Sequence, residues 1–452
     1  MRATTTKLLT GPHRADPHDL ADPHAGTRSK RIFAQPLGKL RSMAAAGVLA
    51  GVTSLLALGG CSTSPGGSFS NGALSQPAGS PTDITKSTTA QPAGLSSGNR
   101  QSVKLALLLP TSASGQTAEI AKGLKQAAEM ALFDRNAPNI KLLVKDTAGT
   151  PDGARKAAEA AVAAGADIII GPLFARSVKT VKPVAAAAGL PVLAFSNDAS
   201  VAGNGVYLLS FQAHQDVTRI IQYAASQGRR RFAALIPEDA RGNQLAALFK
   251  ASVQQVGGSV VAIETYPPGA NGMLENSQRL FESAVEADTI GEPIDAIFIP
   301  GGPETLPTLG PIIKYTKVDT TRIKLLGTGS WDFPTLSRQS SFVGGWFPAP
   351  DPRGWNSFSA KYSQTYGAAA PRIASLAYDA VSIAVTLSNS VGSGRKFTAD
   401  RLTQAAGFAG TDGVLRLRPN GLLDRGLAII EVDANGSRVI EPAPRTFNGP
   451  QG

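Results

Sequence analysis

From Val103 onward the chain alternates short apolar runs with longer stretches whose apolar residues recur every three or four positions. The run VKLALLL at 103–109 has no polar face after Lys104, so it reads as a strand covered on both sides and ended by Pro110. Residues 118–134 then place Ile120, Leu124, Ala127, Ala128 and Ala131 on one helical face. The rhythm continues with strands at 140–145, 167–170 and 191–195 and helices at 152–164 and 178–188. Continuous Val/Ile/Leu strands separated by Ala-rich helices predict a parallel sheet built of right-handed βαβ units.

The same rhythm restarts after residue 211. Helices at 216–226, 243–256, 274–285 and 306–315 alternate with strands at 232–236, 259–265, 296–299 and 324–326. Two such sets predict an α/β fold of two doubly wound parallel-sheet lobes. Residues 331–440 carry helical patterns at 355–366 and 373–390 and strand patterns near 414–417 and 427–432. That is too little for a third lobe, so this segment is expected to be shared between lobe I (101–211) and lobe II (212–330), with 441–452 as a flexible tail.

The first hundred residues follow no such pattern. Residues 43–58, MAAAGVLAGVTSLLAL, are apolar and follow Lys30, Arg31, Lys39 and Arg41. A positive segment followed by an apolar run shorter than the roughly 20 residues of a membrane span reads as an export signal occupying 1–60. It ends in Leu58-Gly59-Gly60-Cys61, and Cys61 is the one cysteine of the 452 residues. The arrangement resembles a lipoprotein cleavage box. That resemblance implies cleavage before Cys61, acylation of its thiol and amine, and a lipid anchor of two or three chains in the cell envelope. Ser62 at the second mature position resembles the pattern for an outer-membrane destination facing the periplasm. Residues 62–99 are dominated by Ser, Thr, Gly and Pro, with Asp83 and Lys86 as their charges. Such a segment is a tether of on the order of 35 Å root-mean-square reach.

Composition removes several function classes. The net charge of +11 is concentrated in residues 1–60, which carry +5 and leave +6 for the rest, too little for a nucleic-acid footprint. A single cysteine excludes an internal disulfide. His214 is the one histidine after the leader, so no His/Cys metal cluster is possible there. The chain has no G-x-x-x-x-G-K-[ST] phosphate loop. No catalytic residue, metal or cofactor is expected, and the protein reads as a binder.

Residues 103–439, with the segments LLLPTSASGQ, DIIIGPLFARS at 167–177 and PVLAFSND at 191–198, resemble type I periplasmic binding proteins of the leucine-binding group. The last two segments are most similar to penicillin-binding protein activators, which are lipoproteins. The resemblance implies a ligand cleft between the lobes. Open α/β sheets place their sites in loops at the carboxyl ends of strands, beside free helix N-terminal N–H groups. In lobe I those loops hold Thr111, Ser112 and Ser114, then Gly171, Pro172 and Leu173, then Ser196, Asn197 and Asp198. In lobe II they hold Glu238, Asp239 and Arg241, Gly301-Gly302, and Ser330 with Trp331. The same residue types also cap helices and make turns.

The amino-acid receptors of the group hold their ligand with two small hydroxyl residues, a Tyr and a Glu. On this chain those positions fall on Ala175, Ala199, Arg241 and Gly329, so the standard amino-acid set is replaced. The activator resemblance implies a non-enzymatic regulator partnered with a cell-wall synthase. The alternative is a substrate-binding protein that delivers a small solute to an ABC permease.

Overall fold

The computed structural model describes residues 102–267, 270–389 and 394–447. The expected signal peptide, Cys61 and the tether lie outside the described residues. The first sheet is built from β1 (Val103–Leu109), β2 (Ile140–Asp146), β3 (Ile168–Ile170), β4 (Val192–Ala194) and β5 (Val206–Leu208), with α1 (Gly115–Asp134), α2 (Pro151–Ala163) and α3 (Ala175–Ala187) between them. Its order is β2-β1-β3-β4-β5 and every pairing is parallel.

Lobe II opens with α4 (Ala213–Ser226), β6 (Arg231–Pro237), α5 (Ala240–Gln255), β7 (Ser259–Tyr266), α6 (Ala270–Thr289), β8 (Ala296–Phe298), α7 (Leu306–Tyr315), β9 (Lys324–Leu326) and β10 (Trp346–Ala349). The chain then returns to lobe I as α8 (Pro352–Tyr366), α9 (Ala374–Asn389), α10 (Ala399–Leu402) and a small antiparallel sheet of β11 (Phe408–Gly410), β12 (Gly413–Leu417) and β13 (Leu423–Arg425). It crosses a third time to add β14 (Ala428–Asp433) and β15 (Gly436–Glu441) to the second sheet, ordered β15-β14-β10-β9-β8-β6-β7. β14 and β15 run antiparallel at one edge of an otherwise parallel sheet.

Helix starts follow their caps. Thr150 accepts from Gly153 N (3.0 Å), Asp239 from Gly242 N (2.6 Å) and Asp351 from Arg353 N (3.0 Å). Several helices begin a few residues before the apolar periodicity does, because a first turn is chosen for polarity rather than burial. Five strands, β5, β10, β11, β13 and β15, fall outside those expected from the sequence. β5 is three residues long, β10 contains Pro348, and β15 is an edge strand with mostly exposed or half-exposed side chains. The tail expected from residue 441 is also corrected. Glu441 ends β15 and pairs with Arg219, while the Arg416 guanidinium lies 4.5 Å from the Phe447 ring centre.

Helix α9 is the centre of lobe I, with twelve of its 16 residues buried. It packs along α1, where a side chain at Gly123 would sit 2.6 Å from Pro371 Cγ, so that approach requires glycine. The core clusters place α8, α9, α10 and the small sheet with β1–β5, and β14 with β6–β10. The three crossings therefore lie between β5 and α4, β10 and α8, and β13 and β14.

A buried polar cluster knits these crossings together. Arg372 donates to both carboxylate oxygens of Asp412 (3.1 and 2.8 Å), and Ser375 Oγ donates to the same carboxylate (2.6 Å). The Arg372 guanidinium lies 4.6 Å from the Phe211 ring centre and 4.5 Å from that of Trp355. Arg425 approaches Phe211 at 5.2 Å and stands 3.9 Å from Asp379, which accepts from Thr411 N (2.7 Å). Burial pushes the Asp379 carboxyl up to about 6; Arg425 opposes the shift and Asp412 adds to it.

Removing one partner of a fully buried pair leaves an uncompensated charge. Arg425→Leu is therefore expected to lower stability by about 3–5 kcal/mol in urea unfolding at pH 8. The loss should shrink at pH 5, where Asp379 is protonated, and adding Asp379→Asn should recover part of it. Equal losses at both pH values, or strictly additive costs in the double variant, would contradict the pairing.

Candidate functional site

A cavity of about 600 Å³ opens where the lobes meet at the crossings. Lobe I contributes Asn197 and Asp198 from the loop after β4, and the first crossing contributes Phe211 and Gln212. Lobe II contributes Asp216 on α4, Arg241 and Gln244 at the start of α5, and Thr328–Ser330 after β9. Pro348–Pro350 and Arg372 complete the wall. The site thus lies at the carboxyl ends of strands and at two helix starts, as the topology requires.

Arg241 is the second residue of α5 and is exposed to the cavity. Among the described residues its guanidinium forms no hydrogen bond or ion pair. A cation at a helix start that no carboxylate touches directly can receive an anion, although Asp239 caps the same helix end and Asp216 lies within electrostatic reach. Asp216 stands nearby in charge terms and accepts a hydrogen bond from Gly329 N (2.9 Å). Its side chain is recessed in the cavity wall and only partly reached by solvent. Burial pushes its carboxyl up to about 7, opposed by the Gly329 N–H and by Arg241. Water in the cavity moderates that effect without reversing it. Gly329 has no room to spare: a Cβ there would lie 3.3 Å from Asp216 Oδ2.

Gln212 adds a further polar group. It is 4% exposed, its Oε1 accepts from Leu423 N at 3.5 Å, and its Nε2 has no partner among the described residues. A buried donor without an acceptor at the edge of a cavity is a costly group to leave unpaired.

The residues singled out from sequence divide sharply. Asn197, Asp198, Arg241 and Ser330 line the cavity. Thr111, Ser112 and Ser114 are exposed at the end of β1 and do not line it; the Ser112 backbone N–H donates to Asp146 (3.2 Å). Gly171 and Pro172 are buried, and a Cβ on Gly171 (φ 90°) would strike Leu108 O at 2.3 Å. This loop is dictated by strand packing, and Leu173 packs against the lobe I core. Ser196 is buried and accepts from Asp198 N (3.2 Å), a turn-making contact.

In lobe II, Glu238 is exposed and lies off the cavity. Asp239 caps α5 and lines a separate hollow of about 360 Å³ that shares Arg241 with the cleft. That hollow also includes Gly301 and Tyr266. Trp331 is corrected as a polar anchor: it is 1% exposed and its indole N–H donates to Ile299 O (2.9 Å). Its ring belongs to the lobe II core.

Asp216, Gln212, Gln215 and Arg372 were not anticipated. Asp216 reads in sequence as a helix-start acid, yet it occupies the fourth position of α4 and reaches the loop 113 residues later. It lies three residues beyond the start of the helix at Ala213, and its sequence position carries no signal of this role. His214, the second residue of α4, has a buried Nε2 without a partner, and burial holds its pKa down.

The family model for periplasmic binding proteins matches residues 102–437. Comparison with curated protein sequences gives no match. Among solved structures, a Rhodospirillum rubrum protein provisionally assigned to a branched-chain amino acid ABC transporter is similar at TM-score 0.65 and 19% identity, covering 75% of this chain and 100% of its own. A Desulfitobacterium hafniense ABC transporter substrate-binding protein in complex with Leu is similar at TM-score 0.53 and 18% identity, covering 75% and 99%. A Rhodopseudomonas palustris solute-binding protein in complex with 3,4-dihydroxy benzoic acid is similar at TM-score 0.52 and 19% identity, covering 76% and 97%. At such identities the likeness speaks for the fold, and the fold described above agrees with it. By the family match, which spans most of its length, this chain belongs to the periplasmic binding proteins, with the two-lobed architecture of the leucine-binding type.

Proposed function

We propose that this protein is an extracytoplasmic solute receptor that captures a small carboxylate-bearing molecule in the cleft and delivers it to an ABC permease. The carrying observation is Arg241, an unpaired guanidinium at a helix N-terminus facing a cavity of about 600 Å³ between the lobes. A cavity of that size suits a small molecule. The arrangement asks for binding and orientation alone, so no bond-making chemistry enters the reading. That structural relatives are substrate-binding proteins of ABC transporters supports the delivery role.

Asp216 gives this reading a proton dependence. Below about pH 7 the carboxyl is protonated and leaves Arg241 free for the ligand; above it the carboxylate competes for the same guanidinium. The raised pKa also means that its contribution to stability is present at low pH and is lost as pH rises from about 4 through 7.

The membrane attachment belongs to the same proposal. Cys61 at the end of the apolar leader supports lipid anchoring, and residues 62–99 support a flexible link between the anchor and the binding domain. Ser62 favours an outer-membrane destination, which would separate the domain from an inner-membrane permease and so counts for the second reading rather than for delivery. The second reading, a regulator of a penicillin-binding protein, is favoured by the segments at 167–177 and 191–198 and by the tether.

Isothermal titration of the mature protein against leucine, 3,4-dihydroxybenzoate and a panel of small carboxylates tests the cleft. Arg241→Gln is expected to weaken a binding carboxylate by about 10- to 100-fold, the worth of one charge-assisted hydrogen bond. Affinity should fall between pH 6 and pH 8, and Asp216→Asn should flatten that dependence. No binding across the panel would remove the receptor reading, and capture of a cell-wall synthase by the tethered protein would then establish the second. For the anchor, radiolabelled palmitate should enter the wild-type chain and not Cys61→Ser, which should leave the membrane fraction; equal labelling of both would refute the assignment.

A further inference from the structure

Of the exposed large apolar side chains among the described residues, Phe133 in the last turn of α1 is the most open, at 85%. It stands beside the point where the chain enters the domain. Asn136, in the left-handed region (φ 45°), turns the chain out of the helix into the loop 135–139. The Asn139 carbonyl of that loop accepts from the N–H of Val103, the first residue of β1 (2.9 Å). We propose that this corner of lobe I is a membrane-contact surface that rests on the anionic phospholipid bilayer holding the Cys61 anchor. The inference rests on the anchor reading and is independent of what the cleft binds.

The corner pairs an apolar tip with exposed cations. Pro138 is exposed in the same loop, and the Ala137 N–H closes that loop on Leu132 O (3.3 Å). Arg135 is exposed two residues beyond Phe133. Lys141, at the start of the edge strand β2 and opposite Lys104 on β1, is a second exposed cation. The neighbouring carboxylates are already engaged. Asp134 holds Lys361 (2.6 Å) and accepts from the Tyr378 hydroxyl (2.9 Å), Glu129 one turn back faces Lys125 (3.6 Å), and Asp167 accepts from the Lys104 backbone N–H (2.8 Å). An exposed ring flanked by Arg and Lys suits the interface of a bilayer, where the ring enters the headgroup layer and the cations meet lipid phosphates.

One ring and two cations hold a free domain weakly, and the tether changes that balance. A linker of residues 62–99, with a reach on the order of 35 Å, keeps the bilayer at an effective concentration on the order of millimolar. A contact with a dissociation constant of about one millimolar is then filled roughly half the time. Ile290 and Tyr315, 69% and 72% exposed, lie at the ends of α6 and α7 in lobe II, away from the chain entry. They offer the comparison that separates chain entry from mere exposure.

The test uses the mature lipidated protein in vesicles of phosphatidylethanolamine and phosphatidylglycerol that carry a nitroxide-labelled lipid as quencher. Because Cys61 is acylated, Pro138→Cys supplies a single free thiol for a fluorescent label beside an intact Phe133, and Tyr315→Cys supplies the lobe II control. The label at 138 should be quenched about three-fold more strongly than the label at 315. Adding Phe133→Asp, or separately Arg135→Glu with Lys141→Glu, should remove most of that difference, with melting temperatures confirming that the variants fold. Vesicles of phosphatidylcholine alone should also reduce it. Equal quenching at both positions in protein that floats with the vesicles overturns the contact and leaves the anchor standing. Protein that does not float overturns the anchor and this inference with it. Shielding of the label at 138 that needs no vesicles and grows with protein concentration overturns the lipid assignment in favour of a second copy of the chain.

Discussion

A two-lobed binder has to pass its chain between the lobes and still bury what passes. In this protein three crossings meet around Phe211, whose ring is approached by the guanidinium groups of both Arg372 and Arg425. Each arginine in turn faces a carboxylate on the small sheet or on α9: Asp412 for Arg372 and Asp379 for Arg425. The pairings differ in quality. Arg372 holds Asp412 with two hydrogen bonds, while Arg425 meets Asp379 at 3.9 Å and its Nε and Nη2 have no partner among the described residues. A buried, incompletely satisfied pair costs more in desolvation than a tight one returns. What it secures is position: the ring of the first crossing, the helix after the second and the strand before the third are held against one another.

That arrangement explains why the cleft is polar where it is. Gln212 and Asp216 belong to the segment leaving the first crossing, so their places are set by the cluster around Phe211. Gln215 and Arg219 on the same helix donate to the carbonyls of Leu423 and Leu427, on either side of the third crossing. The start of α4 is thereby tied to the small sheet on one side and presents Asp216 to Gly329 on the other. Binding groups placed on such fixed elements are held more firmly than groups on free loops.

The lobes were readable in the sequence because parallel strands buried on both faces leave a near-continuous apolar signal, as in Leu105–Leu109 and Ile168–Ile170. β10 was not, since Pro348 breaks strand propensity and its place in the sheet comes from antiparallel pairing with β14 some eighty residues later. The same distance effect governs the site. Arg241 was legible because a loop after a strand and before a helix is where a ligand is expected, whatever the residue. Thr111, Ser112 and Ser114 satisfied the identical rule and lie outside the cavity, because strand ends are many and the crossing point selects among them. Trp331 carried the right position and the wrong direction: its ring turns into the lobe II core, where Phe342 and Phe347 pack around it. Direction of a side chain is a tertiary property that loop position does not reveal.

The charge pattern of the cleft shows how a site can be rewritten without changing the fold. Where the leucine-binding resemblance expects a glutamate, the chain has Gly329, and the absence of a side chain there admits the Asp216 carboxylate from α4. An acid is therefore present at that corner, but it arises from a different element and is bonded to a backbone N–H rather than free. Where the resemblance expects a tyrosine, Arg241 supplies a full positive charge beside it. A neutral hydroxyl tolerates a neighbouring carboxylate of either protonation state, whereas a guanidinium favours its ionised form and is weakened as an anion site by it. On the proposed reading the two replacements are coupled: with Arg241 in place, burial that raises the Asp216 carboxyl to about 7 is what leaves the guanidinium available to a ligand below that pH. On the same reading the selectivity of this cleft resides in that pair, and the fold's contribution is to hold a carboxyl from one lobe II helix and a guanidinium from the next near the same loop.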